Sequence, residues 1–215
     1  MRAILSLRRT VPLLLAIAML SPVIAEAKRP APPSPPPASP AAPDAVDRLG
    51  LQGPIAFDGK AFALAWSSHP SPTLYKQEYV VAGDSVERYA AMLMVDLRLD
   101  GPDAEAMARG VAAQVEARKA SDPVANYDIL TNPATGEVII DFLMSAAGAD
   151  GQLIVEWTAQ RYANRPDGAG TTLVAFSRRG YGDGARDFLV GLKASRGRDL
   201  QALSSLSLVP VPAGK

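Results

Sequence analysis

The only histidine of the chain, His69, directly follows Ser67 and Ser68. Because serine and histidine are two members of the triad found in many hydrolases, one hypothesis is a hydrolase that uses His69. The members of such a triad are rarely neighbours in sequence, and the chain has no G-x-S-x-G motif. Pro70 and Pro72 follow the histidine and favour a surface turn instead. A single histidine also excludes a metal site built from several histidines.

Paired carboxylates are the second candidate for hydrolytic chemistry. Asp96 and Asp100 form one pair that is close in sequence, and Glu137 and Asp141 form another. Four residues of an extended strand span about 13 Å, which exceeds the separation of the usual glycosidase pair. We keep a periplasmic hydrolase that uses His69 or a carboxylate pair as the alternative function.

The sequence also limits the cofactors that the chain can bind. Cysteine is absent, which excludes thiolate nucleophiles, zinc–thiolate sites and iron–sulfur clusters. A glycine-rich turn at residues 180–184 has backbone N–H groups that suit a phosphate, but it lacks a P-loop lysine and contains Asp183. This turn predicts a helix that is capped by Asp183. We therefore predict neither a cofactor nor a metal site.

Basic residues concentrate near the end of the chain, where eight lysines and arginines fall between positions 161 and 198. Among them, Arg178 and Arg179 precede Tyr181, which lies in a glycine-flanked turn. A guanidinium beside a phenol ring can bind a carboxylate or phosphate and can stack on a sugar or peptide. Strand alternation predicts that the two arginines point to opposite faces. The predicted binding residues are Arg161, Arg165, Arg178, Arg179 and Tyr181. The competing interpretation is a solvated charged face.

The N-terminus has the three parts of a secretory signal. Arg2, Arg8 and Arg9 form a basic start, an apolar run covers residues 11–20, and small residues at 25–27 suit cleavage. This run is about half of the ~20 residues that a membrane span needs. We predict a signal peptide at residues 1–27, no transmembrane span after its cleavage, and a periplasmic or secreted protein.

A proline-rich segment follows the signal, with eight prolines between positions 30 and 43. Proline fixes φ and lacks an N–H, so residues 28–47 are predicted to be a disordered, extended linker. We favour a spacer over a proline-rich docking ligand. A globular domain is predicted at residues 48–207 and a flexible tail at 208–215. The chain has 22 basic and 22 acidic residues, so its net charge provides no general attraction to nucleic acid.

The patterning of the domain predicts an α+β fold, in which a meander of about five to six antiparallel strands is covered by two or three helices. The first helix is predicted from a capping pattern at residues 84–87 and continues to Leu93, and a second starts at residues 100–103. The last helix starts at Asp183 and breaks near Gly197. The predicted shared core consists of Val138, Ile140, Phe142, Met144, Val155, Trp157, Phe188 and Leu192.

Two stretches carry a resemblance to a known family, namely residues 78–87 before a short helix and residues 177–181 before the last helix. With the strand-rich half between them, this order resembles that of small bacterial exported proteins with a Mog1/PsbP-like domain. The resemblance implies a helix-covered antiparallel sheet over residues 48–207 and a non-enzymatic role in assembly or binding. The predicted function is therefore an exported binding module for an envelope protein or an anionic cell-surface polymer. The oligomeric state is left open.

Overall fold

The computed structural model describes residues 45–51 and 53–212, so the predicted signal peptide and most of the predicted linker lie outside the described residues. The described chain forms eight strands and two α-helices, and a 3-10 turn at Gly182–Gly184 precedes the second helix. In chain order they are β1 Ile55–Phe57, β2 Lys60–Ser71, β3 Leu74–Val80, β4 Ala91–Arg98, α1 Ala104–Arg118, β5 Asn126–Thr131, β6 Val138–Ala147, β7 Leu153–Asn164, β8 Thr171–Tyr181 and α2 Ala185–Ser205.

All eight strands form one antiparallel sheet in the order β1-β2-β3-β4-β8-β7-β6-β5. The first four strands and the last four each form a meander, and β4 pairs with β8 where the two meet. The connection through α1 carries the chain from β4 to β5 at the far edge of the sheet. The α+β prediction is confirmed. The predicted count of five to six strands is too low for this sheet of eight.

The helix predicted to continue to Leu93 is wrong, because β4 occupies this stretch. Ala91, Met92 and Leu93 are all buried, since β4 lies inside the sheet between β3 and β8. Periodicity alone cannot separate such a continuous apolar run from a buried helix. Asp84 caps a turn instead of a helix, and its carboxylate accepts the N–H of Ala90 at 2.8 Å.

Separate cores lie on the two faces of the sheet, which we call the first face and the second face. On the first face, Trp157, Phe176 and Leu192 belong to a core between the sheet and α2. On the second face, Ile140 and Phe142 belong to a core beneath α1. The single shared core that the sequence predicted is therefore wrong. Val138, Ile140, Phe142 and Met144 of β6 were expected beneath the last helix but pack on α1. Side chains on both faces of β6 are buried, so the pattern did not show which face the last helix covers.

The ends of the helices follow local chemistry only in part. The Asp103 carboxylate caps α1 and accepts the N–H of Ala106 at 2.7 Å. The predicted cap at Asp183 is wrong, since α2 starts after Gly184 and has no side-chain cap. The predicted break at Gly197 is also wrong, because an isolated helical glycine costs only about 1 kcal/mol and Leu203 beyond it is fully buried. Neither helix in the described part of the chain has the length and apolar character to span a membrane.

The segments before β1 and after α2 lie side by side on the domain. The fully buried Gln77 of β3 accepts the N–H of Leu49 at 3.1 Å. The N–H of Val211 in turn donates to the carbonyl of Leu49 at 2.9 Å. The folded unit therefore extends past residue 207, into the region that was predicted as a flexible tail.

Candidate functional site

Two of the five predicted binding residues stabilise chain ends and turns. Arg161 donates to the carbonyl of Ser204 at 2.8 Å and to that of Leu206 at 2.6 Å. These carbonyls lie at the C-terminus of α2, where a cation is favourable. Arg165 lies in the turn between β7 and β8 and pairs with Asp167 through two hydrogen bonds, at 3.2 Å and 2.6 Å.

Arg178 and Arg179 point to opposite faces of β8, as predicted. On the first face, Arg178 lies 3.0 Å from the fully buried carboxylate of Asp199 and 3.4 Å from that of Asp58. On the second face, Arg179 forms an ion pair with Glu156, and both side chains are almost entirely buried. Each guanidinium is therefore already paired with a carboxylate of the same chain.

Tyr181 connects β8 to residues 81–90, the segment between β3 and β4. Its hydroxyl accepts the N–H of Tyr89 at 3.1 Å and donates to the carbonyl of the same residue at 2.9 Å. The guanidinium of Arg88 lies 4.4 Å from the centre of the Tyr181 ring. Arg179 and Tyr181 therefore lie together beside Tyr89 on the second face, whereas Arg161, Arg165 and Arg178 lie elsewhere on the fold. The proposed role of the five residues in binding stays a prediction.

The predicted surface turn around His69 is an exposed part of β2, which continues to Ser71. The strand tolerates Pro70 because β2 pairs only with β3 along this stretch and leaves its other edge unpaired. The Nδ1 atom of His69 lies 3.0 Å from the carbonyl oxygen of Leu74, and its ring stacks on Tyr75 at 4.0 Å between centroids. These contacts provide no carboxylate to orient the imidazole as a general base.

A groove on the first face separates α2 from β5 and β6. Its larger part has a volume of about 440 Å³, and a neighbouring part has about 230 Å³. One row of α2 forms the helical wall, because residues four apart lie on the same side of a helix. This row consists of Leu192, Arg196, Leu200 and Ser204. The floor and the sheet wall of the larger part are formed by Leu130, Thr131, Asn132, Glu137, Ile139 and Arg161.

The charged groups of the groove are paired with one another. Arg196 donates to Asp141 at 2.6 Å and 2.7 Å and to Asp128 at 2.6 Å. The hydrogen bonds with Asp141 raise the pKa of Arg196 above its usual range. Burial lowers the pKa of Arg161, and Glu137, at 3.8 Å, opposes this effect. The groove therefore offers apolar surface and neutral polar groups more than free charge.

The strand beside this groove, β5, forms one edge of the sheet. Ile129 and Leu130 are 41% and 50% exposed, respectively, although both are large apolar residues. The N–H of Asn132 donates to the carbonyl of Glu137 in the turn before β6, and the backbone groups of antiparallel strands alternate in direction. The N–H and C=O groups of Tyr127, Ile129 and Thr131 therefore point outward. No other strand of the described residues pairs with this row of donors and acceptors.

The sequence predicts a strand where β5 lies. It did not predict that this strand forms the edge of the sheet or that a groove lies beside it. The signal that was present is the pair Ile129-Leu130, which places apolar residues on both faces of a strand that is polar elsewhere. Leu200 lies beyond the helix break that was predicted near Gly197, so it was not expected on the row of α2 that lines the groove. Within residues 45–51 and 53–212, no group of three or more histidine or acidic side chains is arranged to hold a metal ion.

Comparison with other proteins identifies a family. No curated protein and no solved structure matches the chain significantly. A family model, in contrast, matches residues 49–208, which correspond to the domain that the structure describes. The chain therefore belongs to this family, whose function is unknown.

Proposed function

We propose that this chain is an exported, non-enzymatic binding module that accepts an extended segment of a partner protein along the edge of β5. The observation that supports this function is an unpaired edge strand with exposed apolar side chains, placed beside a groove of about 440 Å³. Main-chain pairing provides the affinity in this binding mode, and pockets for alternate side chains provide the specificity.

The two edges of the sheet differ in a way that supports this proposal. The opposite edge begins with β1, which has three residues, and the longer β2 carries a register shift and Pro70. Short strands, bulges and proline are the usual means of preventing an edge from pairing with another chain. In contrast, β5 has six residues in regular register with β6 and contains no proline.

The lining of the groove indicates which side chain it would accept. Leu130, Ile139 and Leu200 provide its apolar surface, and Asn132 and Gln201 are polar but uncharged. A strand that pairs with β5 projects alternate side chains toward the first face, where Leu130 lies. We therefore expect a partner segment with apolar residues at every second position and without a charge opposite Leu130.

Proline substitution at Ile129 tests the pairing directly. Ile129→Pro removes one outward N–H but no bond to β6, and proline is tolerated at a strand edge. Ile129→Ala is the matched control, because it removes the side chain and keeps the N–H. Twelve-residue peptides would be selected from a random display library on the purified chain and measured by fluorescence anisotropy. We expect Ile129→Pro to weaken binding about tenfold, which corresponds to about 1.4 kcal/mol, and Ile129→Ala to have a smaller effect.

The groove has its own pair of variants. Leu130→Glu places a charge at the groove, and Val190→Glu makes the same change at a site on α2 that is 68% exposed. Only Leu130→Glu is expected to weaken peptide binding. Equal binding of the selected peptides to Ile129→Pro and to the unchanged chain would contradict the proposal. If no peptide is enriched and sedimentation velocity shows a dimer that Ile129→Pro dissociates, the edge pairs with a second copy instead.

Export is the second part of this proposal, and the three-part N-terminal sequence supports it. The mature chain should begin near Glu26 or Lys28, which N-terminal sequencing of the envelope fraction would determine. Recovery of an intact Met1 on a folded, membrane-bound product would contradict it. The resemblance to Mog1/PsbP-like domains, with its implied role in assembly, is consistent with a binding module and remains part of the proposal.

A further inference from the structure

The second face of the sheet has a half on which no α-helix packs closely within the described chain. Here α1 packs mainly on β5, β6 and β7, and residues 81–90 cover one end of β3 and β4. The surface that remains on β2, β3 and β4 is partly exposed, and we call it the open patch. The open patch consists of Trp66, Ser68, Lys76, Glu78, Met94 and Asp96.

The register of the strands places Glu78 at the centre of the open patch. Trp66 lies opposite Glu78 on β2, and Met94 lies opposite it on β4. Residues directly opposite in an antiparallel sheet share a face, with Cβ atoms about 4.5–5.5 Å apart. The side chain of Glu78 therefore leaves the sheet between those of Trp66 and Met94. Lys76 and Asp96 lie opposite each other in the next row and form an ion pair.

Glu78 has no comparable partner. None of the side-chain hydrogen bonds or ion pairs found among residues 45–51 and 53–212 includes it. Burial raises its pKa from 4.5 to about 7, so the carboxylate is costly to ionise in the free protein. The charges that act on it most strongly are those of Lys76, Asp96, Arg179 and Glu87. These are two cations and two anions, which leaves the charge of Glu78 itself uncompensated.

We propose that the open patch binds an alkylammonium group, with the cation against the Glu78 carboxylate and the indole of Trp66, and its hydrocarbon part along Met94. An aromatic face attracts a cation most strongly where the two are desolvated, and a neighbouring carboxylate adds direct charge complementarity. This site lies on the opposite face from the groove, so it does not depend on the strand-binding function.

The two tryptophans provide a built-in comparison for the test. Trp66 is partly exposed in the open patch, whereas Trp157 is 1% exposed and its indole N–H donates to Asp141 at 2.8 Å on the first face. The indole N–H signals of the ¹⁵N-labelled full chain would be followed by NMR during titration with n-butylammonium. The neutral isostere 1-butanol would be titrated in parallel. Glu78→Gln removes the charge in the site, and Glu87→Gln is the matched control in the neighbouring exposed segment.

The expected result is a saturable shift of the Trp66 signal alone, with a dissociation constant on the order of 1–10 mM, equivalent to roughly 3–4 kcal/mol. Binding should be stronger at pH 8 than at pH 5.5, since the ionised carboxylate holds the cation. Glu78→Gln should weaken binding at least about tenfold, and Glu87→Gln should change it less than about twofold.

Two outcomes would overturn the proposal. Equal shifts with 1-butanol would make the open patch a merely apolar surface, and an unsaturated or absent shift would show that no site exists. An unchanged Trp157 signal in each variant verifies that the core is intact. A further titration with N-acetyl-lysine amide presents the same ammonium group as it occurs in a lysine side chain. Tighter binding of this compound than of n-butylammonium would indicate a lysine side chain as the ligand, and weaker binding would indicate a free amine.

Discussion

The carboxylate of Glu78 should make the stability of the domain depend on pH. Its pKa is about 7 in the folded chain and 4.5 for an ordinary glutamate. The folded state therefore binds more protons than the unfolded state between these two pH values, and the stability of the domain falls as the pH rises through them. The difference between these two pKa values corresponds to roughly 3 kcal/mol that the ionised carboxylate costs above pH 7.

Glu78→Gln keeps the shape of the side chain and removes this cost. The variant should be more stable than the unchanged chain at pH 8, by up to about 3 kcal/mol, and nearly equal to it at pH 4.5. Urea denaturation measures the difference, and an m-value of about 1–3 kcal/mol per molar predicts a midpoint shift of roughly 1–3 M at pH 8.

The exposed neighbour Glu87 supplies the control for this experiment. Glu87→Gln removes the same charge in residues 81–90, where the side chain is exposed, and should leave the midpoint nearly unchanged at both pH values. Asp96 is present in every variant, and its charge on Glu78 is part of the difference that the comparison measures. A Glu78→Gln effect of the same size at pH 4.5 and pH 8 would refute the reasoning, because it would not arise from ionisation.

Substitutions at three further positions test the packing of the sheet. Arg179→Ala leaves Glu156 buried without its ion-pair partner and should lower the free energy of unfolding by about 3–5 kcal/mol at pH 7. Arg179→Lys should lose less of this stability in the same urea assay. Gly180→Ala brings a Cβ within 2.5 Å of Phe188 and should lower the thermal midpoint, because the helix must shift. Trp157→Ala should cost about 3–5 kcal/mol in urea denaturation, and an unchanged midpoint with an unchanged m-value would contradict its place in the first-face core.

The elements that the sequence predicted well are those in which local chemistry and burial agree. Alternation along β7 predicted that Leu153, Val155, Trp157 and Ala159 face a core. The last three are buried, whereas Leu153 at the start of the strand is 47% exposed. The first residues of β4, Ala91 to Leu93, were mispredicted as helix, because their burial on both faces arises from pairing with β8, which follows them by more than seventy residues. A strand's neighbours, and therefore the number of its buried faces, depend on the whole topology and not on local periodicity.

The candidate sites show the same limit at the level of single side chains. The sequence correctly predicted that Arg178 and Arg179 point to opposite faces. It could not show that Arg178 meets Asp58, 120 positions earlier in the chain, or that Arg179 meets Glu156 on the adjacent strand. The groove exists because α2 crosses the first face near an edge strand. The composition of α2 and that of β5 do not show this placement.

The position of Leu49 beside β3 has a consequence for how the domain would present itself. Leu49 is held against β3, five strands from β5 in the order of the sheet. At about 4.8 Å between neighbouring strands, this separation is about 24 Å. A chain held at a surface through the residues before Leu49 would therefore expose the β5 edge on its distal side. A partner strand could approach this edge without crossing the point of attachment.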